Sequence, residues 1–127
     1  AAICRKVAMA DEGGAIDVWG DGTAVRGFTY VDDLVDGIYL LMQSEETDTA
    51  NIGTEQYVTV NELVETVIAV SGKEIHIEHV DGPVGVQARN FSHTRMHDLG
   101  WDATVPLRDG IAETYAWIAA EVERLGL

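Results

Sequence analysis

Two arginines have the residue type and the surroundings to hold an anion. Arg26 is an isolated cation within an apolar, strand-like stretch, and Arg89 lies in a glycine-containing loop over residues 85–90. A planar guanidinium pairs with phosphate oxygens through two parallel hydrogen bonds, so both positions are candidate phosphate contacts. In the alternative interpretation Arg26 only neutralises Asp21 or Asp32 at the surface, and the loop of Arg89 is a plain connection.

The histidines offer a second kind of chemistry, which is metal binding. His93 and His97 are four residues apart on a predicted helix, and His76 shares one face of a predicted strand with Glu74 and Glu78. Imidazole and carboxylate groups at these spacings can coordinate zinc. Exposed polar faces of a helix and a strand show the same spacing, and we predict no metal site in this chain.

The composition limits the kinds of protein that this chain can be. Its 127 residues predict one domain over 1–127, and 22 acidic against 8 basic residues give a formal net charge of −14. Without a dense row of cations, we expect no binding to nucleic acid or to a membrane surface. The longest apolar run, Ile38–Met42, is too short for a membrane-spanning helix of roughly 20 residues. The single cysteine, Cys4, predicts a buried, inert thiol and a cytoplasmic location.

Periodicity and turn signals predict an α/β arrangement with few strands. The clearest signal is a capping box, Thr59 and Glu62, at the start of an amphipathic helix that Gly72 ends. Asp32 and Asp33 are expected to cap the helix that follows them. The first half is predicted to contain a helix over 1–10, strands over 15–19 and 25–31, a helix with an apolar stripe over 34–42, and a short buried strand over 50–53. The second half is predicted to contain a helix over 59–71, a strand over 74–80, a loop over 81–90, a helix over 92–99 and a helix from 107. In this last helix we expect Ile111, Ile118, Val122 and Leu125 to face inward.

The common sequence motifs of catalysis and nucleotide binding are absent. The chain has no Gly-x-Gly-x-x-Gly, no Walker loop, no Gly-x-Ser-x-Gly and no Cys-x-x-Cys. The residues taken alone therefore indicate an α/β domain with two candidate anion-binding arginines.

Four short motifs occur in an order and at separations that are typical of one family. They are Trp19–Gly22, Arg26–Asp33, Asn51–Gly53 and Leu99–Trp101. With these motifs the sequence resembles the C-terminal part of the extended short-chain dehydrogenases/reductases, the NAD-dependent sugar epimerase/dehydratase family. In such enzymes an N-terminal Rossmann portion binds NAD, and the C-terminal portion closes over a nucleotide-sugar. The resemblance implies an α+β-like fragment, the substrate-binding portion, with few short strands packed with four to five helices and no Rossmann portion.

The resemblance also implies which residues contact the substrate. Arg26 and Arg89 occupy positions that hold the diphosphate of a GDP- or UDP-linked sugar, and Ala24 and Val25 occupy those of neighbouring substrate contacts. The family's glycine-rich NAD loop and its Tyr-x-x-x-Lys pair have no counterpart in this sequence. We therefore predict substrate-binding residues but no catalytic residue, no cofactor-binding residue and no cofactor in this chain. NAD is implied only for full-length members.

Two functions from different classes follow from this resemblance. In the first, the chain is the nucleotide-sugar-binding portion of an NAD-dependent epimerase (an isomerase) or dehydratase, without catalysis as an isolated chain. In the alternative it is a truncated, stand-alone structural module that associates with itself and retains no ligand site. The stripe Leu34–Met42 and the segment Asn51–Gly53 would pack on the Rossmann sheet in the family, so their exposed surface predicts a partner, which is either a second copy in a homodimer or the missing Rossmann portion. Because Ala1 stands where a Met would begin a polypeptide, we expect a processed or truncated chain.

Overall fold

A computed structural model describes residues 1–83 and 85–127, and within these ranges five helices alternate with four short strands. Val84, which belongs to the predicted 81–90 loop, lies outside the described residues. The order of helices and strands is the predicted one. The elements are α1 (Ala2–Met9), β1 (Ala15–Trp19), β2 (Val25–Gly27), α2 (Val31–Gln43), β3 (Tyr57–Thr59), α3 (Val60–Ser71), β4 (His76–Val80), α4 (Thr94–Asp98) and α5 (Leu107–Leu125).

The hydrophobic core lies between α1, α3, α5 and β1. β1 alternates exposed and buried residues and pairs in parallel with β4, from Ala15 opposite His76 to Trp19 opposite Val80. Burial raises the pKa of the Cys4 thiol within this core, in agreement with the predicted inert cysteine. The buried core residues are Cys4, Val7, Ile16, Val18, Val64, Val67, Ile111, Ile118 and Val122.

The long helices begin and end largely where the sequence predicts. Thr59 Oγ1 accepts from the Glu62 N–H at 3.1 Å, and Glu62 Oε2 accepts from the Thr59 N–H at 2.7 Å. This capping box is confirmed, and so is the stop at Gly72, whose φ of 71° is left-handed. The prediction for Leu125 was wrong: it is 56% exposed, because the buried face of α5 ends at Val122.

Two predictions for the strands need correction. The second strand ends at Gly27 rather than at Val31. Val31 is instead the first residue of α2. Residues 50–53 form no strand; the third strand is β3, which pairs antiparallel with β2. The reason is that side chains, rather than a neighbouring strand, bind the polar groups of 50–54, as when Thr29 Oγ1 accepts from the Thr54 N–H at 3.0 Å.

The start of α2 is attached to a distant segment through Asp33. The sequence predicts a cap on its own helix, but the Asp33 side chain makes no such bond. Its carboxylate, in a residue only 6% exposed, accepts from Thr104 N at 3.1 Å, Thr104 Oγ1 at 3.0 Å and Val105 N at 2.9 Å. Burial opposes the charge, but these three bonds outweigh it and lower the pKa of Asp33. The indole N–H of Trp101 also donates to the Asp33 carbonyl at 3.1 Å.

The two sides of α2 differ sharply. On the inner side, a Cβ on Gly37 would lie 2.7 Å from Ile52 Cγ2 and 2.9 Å from Trp101 Cε2, so only glycine allows this close approach. On the outer side an apolar stripe is exposed, and it shares Val35, Ile38 and Met42 with the predicted one, whereas the predicted Leu34 and Leu41 are half-buried. We call it the α2 outer face; it consists of Val31, Val35, Ile38, Tyr39 and Met42. Within the described ranges, no helix has the length and apolar character that crossing a membrane requires.

Substitution of Asp33 tests this attachment. Asp33→Ala is expected to lower the free energy of unfolding by about 3 kcal/mol, because two N–H groups and a hydroxyl lose a charged acceptor. Asp32→Ala is the matched control, since Asp32 is exposed in the same first turn, and we expect a loss below about 1 kcal/mol. Chemical denaturation of both variants measures the difference, and equal losses would contradict the assignment.

A second substitution separates the contribution of the Asp33 charge to stability from that of its side-chain shape. Because its folded-state pKa is lowered, the carboxylate stabilises the fold above the unfolded pKa of about 4, and this contribution is lost as the pH falls through the folded pKa. Asp33→Asn retains the shape but not the charge. Its stability, measured from pH 7 down to pH 3, is expected to fall less steeply than that of the wild type.

Candidate functional site

A cleft of about 470 Å³ lies where three chain segments meet at the end of the β2–β3 ribbon. The segments are β2 with the residues after it, residues 50–57, and the loop over 88–93. The lining residues are Arg26, Gly27, Thr29, Ala50, Asn51, Ile52, Gly53, Thr54, Tyr57, Arg89, Phe91 and His93.

Hydrogen bonds between the segments hold the cleft in shape. Val25 N donates to the Gln87 carbonyl at 2.8 Å, and Val25 and Ala88 form a parallel bridge that places Arg89 at the rim. On the opposite wall, Asn51 Nδ2 donates to the Ser92 carbonyl at 3.1 Å. All these contacts join residues more than 40 positions apart in the chain, so the cleft forms only when the whole domain folds.

Arg26 is both part of the cleft wall and a support for the loop of Arg89. Its Nη1 donates to the carbonyls of Val25 at 2.7 Å and Gln87 at 3.4 Å, and its Nη2 donates to Val86 at 2.6 Å. A guanidinium has five N–H donors, so the Nε–H and one Nη2–H remain for a ligand.

Arg89 lines the same cleft with its charge uncommitted. Among the residues that the structure describes, arginine side chains donate hydrogen bonds from Arg26, Arg95 and Arg124, and none comes from Arg89. None of its five donors is bound by a described residue, so they can serve an anion in the cleft. The structure thus brings the two arginines that the sequence singled out into one cavity.

The cleft differs in charge from the rest of the molecule. The chain carries 22 carboxylate side chains and a net charge of −14, yet none of the described residues lining the cleft is an aspartate or a glutamate. Two permanent cations in a cleft whose described lining residues include no carboxylate favour an anionic ligand. The arrangement suits a doubly charged ligand such as a diphosphate, which two planar guanidinium groups can hold from two sides.

Ala24 and Val25 lie beside the cleft rather than in its lining. Ala24 is 5% exposed, and its carbonyl accepts from Val60 N at 3.0 Å. It lines a second cavity of about 390 Å³, which shares Arg26 with the first. The Val25 N–H and carbonyl are bonded to Gln87 and Arg26. A substrate contact from either residue stays a prediction.

Three aromatic residues of the cleft were not predicted from the sequence as substrate contacts, although one of them, His93, was considered as a metal ligand. They are Tyr57, Phe91 and His93. Phe91 and His93 follow Arg89 within four residues, and this proximity was the available signal. For Tyr57 there was none, because the pairing of β3 with β2 is not evident in the sequence.

The paired histidines are not brought together as metal ligands. His93 is 4% exposed in the cleft, whereas His97 lies on the surface with Nε2 3.7 Å from Asp102 Oδ1. Across 1–83 and 85–127, no group of three or more histidine, cysteine, aspartate or glutamate side chains is placed to hold a metal ion.

Known proteins resemble this chain over nearly its whole length. A family model described as GDP-mannose 4,6 dehydratase matches residues 1–114. GDP-mannose 3,5-epimerase 1 of Oryza sativa subsp. indica is 37% identical over 98% of this chain and 32% of its own length. GDP-mannose 3,5-epimerase of Arabidopsis thaliana is 35% identical over 98% of this chain and 33% of its own length. The chain thus spans about a third of the length of these curated relatives.

Solved structures of longer proteins contain the fold of this chain as one part. UDP-glucose 4-epimerase of Thermotoga maritima, crystallised with UDP-glucose, superposes with a TM-score of 0.85 at 26% identity, over 95% of this chain and 39% of the other. The sequence motifs Ala2–Lys6, Gly82–Val86 and Ala88–Asn90 further resemble GDP-mannose 3,5-epimerase, and the identities to the plant enzymes confirm that resemblance. The chain belongs to the GDP-mannose 4,6-dehydratase family, among the NAD-dependent epimerases and dehydratases of the extended short-chain dehydrogenase/reductase type.

Proposed function

We propose that this chain binds a nucleotide-sugar, with the diphosphate held between Arg26 and Arg89. The observation that carries this proposal is the convergence of both arginines on a cleft that no described carboxylate lines. The relatives support the class of ligand: one solved structure holds UDP-glucose, and the name of the plant enzymes specifies a GDP-linked sugar. A GDP- or UDP-linked sugar is therefore the ligand to test.

The two arginines have different tasks in this proposal. Arg89, whose donors are uncommitted, pairs with the phosphate oxygens through its planar fork. Arg26 uses two donors on the carbonyls of Val86 and Gln87, and it offers its remaining N–H groups to the ligand. Arg26 therefore acts twice, once on the anion and once on the loop that positions Arg89.

NAD, which the family implies, does not fit the residues of this chain. A dinucleotide site needs a strand, a glycine-rich turn and a helix whose N-terminus meets the diphosphate. In the described residues β1 is followed by Gly20-Asp21-Gly22, but this turn leads to β2 rather than to a helix. We derive no reaction step through NAD, and we propose binding without catalysis for the isolated chain. Turnover of GDP-mannose or UDP-glucose by the purified 127 residues would overturn this.

Substitution of Arg89 tests the binding proposal directly. Arg89→Ala is expected to weaken the binding of GDP-mannose or UDP-glucose at least tenfold, since a charge-assisted bidentate contact contributes roughly 1.5–3 kcal/mol. Its Tm should equal that of the wild type, because no described residue depends on that side chain. Isothermal titration calorimetry of the wild type, Arg89→Ala and Arg108→Ala gives the comparison. Arg108 is an exposed arginine of α5 outside the cleft, and its loss should change nothing.

Arg26 should behave differently from Arg89. Arg26→Ala is expected to weaken binding and also to lower the Tm by several degrees, because the loop carbonyls lose their donors. Arg26→Lys keeps the charge but not the fork, so we expect partial recovery of both quantities. If Arg26→Ala binds as the wild type does, the diphosphate is not held at this cleft.

Self-association is a second candidate function, and the α2 outer face favours it. Its five side chains are between 44% and 78% exposed, and large apolar patches of this kind mark interaction surfaces. We propose that a second copy of this chain, or a Rossmann portion of the kind found in the family, covers this face. The homodimer predicted from the sequence is the version that can be tested with this chain alone.

A charge placed on the α2 outer face should prevent the proposed homodimer. Met42→Glu is expected to shift the mass measured by light scattering from dimer to monomer, because it would bury a carboxylate. Gln43→Glu adds the same charge about 100° further round the helix and should leave the dimer intact. A wild-type chain that stays monomeric at high concentration would count against self-association.

A further inference from the structure

We propose that Tyr57 and His93 form a proton-linked pair in the cleft. When a diphosphate binds, His93 takes up a proton, and the hydroxyl hydrogen of Tyr57 becomes free to bond to the ligand. The inference rests on the proposed nucleotide-sugar function. It assigns two further ligand-binding residues and a pH dependence to that site.

His93 is a buried polar side chain that still faces the cleft. The residue is 4% exposed, and its ring is part of the cleft lining. Its Cε1 lies 3.2 Å from the position that a Cβ on Gly53 would occupy, so the absence of a side chain at Gly53 lets the ring pack against the backbone. The ring is thus held in a defined orientation, with both nitrogens directed at named partners.

These partners determine where the protons lie in the neutral pair. Nδ1 of His93 is 3.4 Å from the Asn51 carbonyl oxygen, which can only accept, so Nδ1 carries the hydrogen. Nε2 then has a lone pair and accepts from the Tyr57 hydroxyl at 3.5 Å. The Tyr57 oxygen in turn accepts from the Phe91 N–H at 3.3 Å. In this tautomer the single hydroxyl hydrogen of Tyr57 points towards His93.

Protonation of His93 reverses one of these bonds. With a hydrogen on both nitrogens, the ring donates to the Asn51 carbonyl and to the Tyr57 oxygen. Tyr57 then accepts from His93 and from Phe91, and its own hydrogen is free to point into the cleft. One proton thus supplies two changes that favour an anion: a third positive charge near the two arginines, and a new neutral donor.

The charges around His93 explain why ligand and proton should bind together. Arg26 of β2 and Arg89 of the loop line the same cleft as His93, and the partners from residues 51, 53 and 57 are neutral. On α4 itself, Arg95 pairs with Asp48 and His97 lies near Asp102, both away from the cleft lining. A diphosphate brings two negative charges that offset those of the two guanidinium groups, so its arrival favours the protonated ring.

Calorimetric titration of the full chain with GDP-mannose and UDP-glucose tests the inference. Titrations at pH 7 in two buffers of different ionisation enthalpy count the protons taken up on binding, and titrations at pH 5.5 and pH 8 give the pH dependence of the affinity. The diphosphate of these ligands is doubly esterified, so its charge stays constant over this range. We expect net uptake of up to one proton and about tenfold tighter binding at the lower pH.

Variants assign the proton to His93. His93→Asn should abolish both the uptake and the pH dependence, and His97→Asn, four residues later in α4 and outside the cleft, should preserve both. Tyr57→Phe should keep the proton uptake but weaken binding severalfold, because the released donor is missing. If His93→Asn does not fold, the ring protons of His93 in the NMR spectrum of the wild type give the same information. Their titration curve must move to higher pH on addition of ligand.

Three outcomes are distinguishable. Binding that Arg89→Ala weakens, but that takes up no proton, overturns the Tyr57–His93 inference and leaves the proposed function intact. Uptake that persists in His93→Asn also overturns it, because another group then titrates. Absence of binding to either nucleotide-sugar at any of the three pH values overturns the proposed function and this inference together.

Discussion

The attachment of the 86–89 loop to β2 is the interaction on which the site depends. Arg26 donates to the carbonyls of Val86 and Gln87, and the Val25 N–H donates to Gln87, so two adjacent residues of β2 hold a segment some 60 positions away. The same side chain that secures the loop also lines the cleft and keeps donors that these carbonyls do not use. If the proposed ligand binds here, a substitution of Arg26 changes both the structure of the site and the binding, whereas a substitution of Arg89 changes the binding alone.

Local signals in the sequence predicted the elements well, and distant contacts account for what they missed. The Thr59–Glu62 box and the stop at Gly72 involve neighbouring residues, so they could be found without the fold. Asp33 has the residue type of a cap, but its partners lie more than 70 positions away. Tyr57 joined the site through the pairing of β3 with β2, which no periodicity reveals in strands of three residues.

The candidate site was predictable to a similar extent, and for the same reason. Arg26 and Arg89 stand out because cations are scarce in an acidic chain, and the family resemblance gave both the same partner. His93 was considered only as a metal ligand, because a spacing of four residues is visible in a sequence whereas burial is not. Only the three-dimensional arrangement shows that its two ring nitrogens face Asn51 and Tyr57.

The contacts of α2 couple its outer face to the cleft. Gly37 lets α2 approach Ile52 and Trp101 closely, and Ile52 itself lines the cleft. Asp33 and Trp101 fix the helix to the segment over 101–105 through four hydrogen bonds. Any partner that covers the α2 outer face is therefore only one helix away from the ligand. Because a closely packed interior transmits small displacements, association and ligand binding should influence each other, and the two candidate functions need not be alternatives.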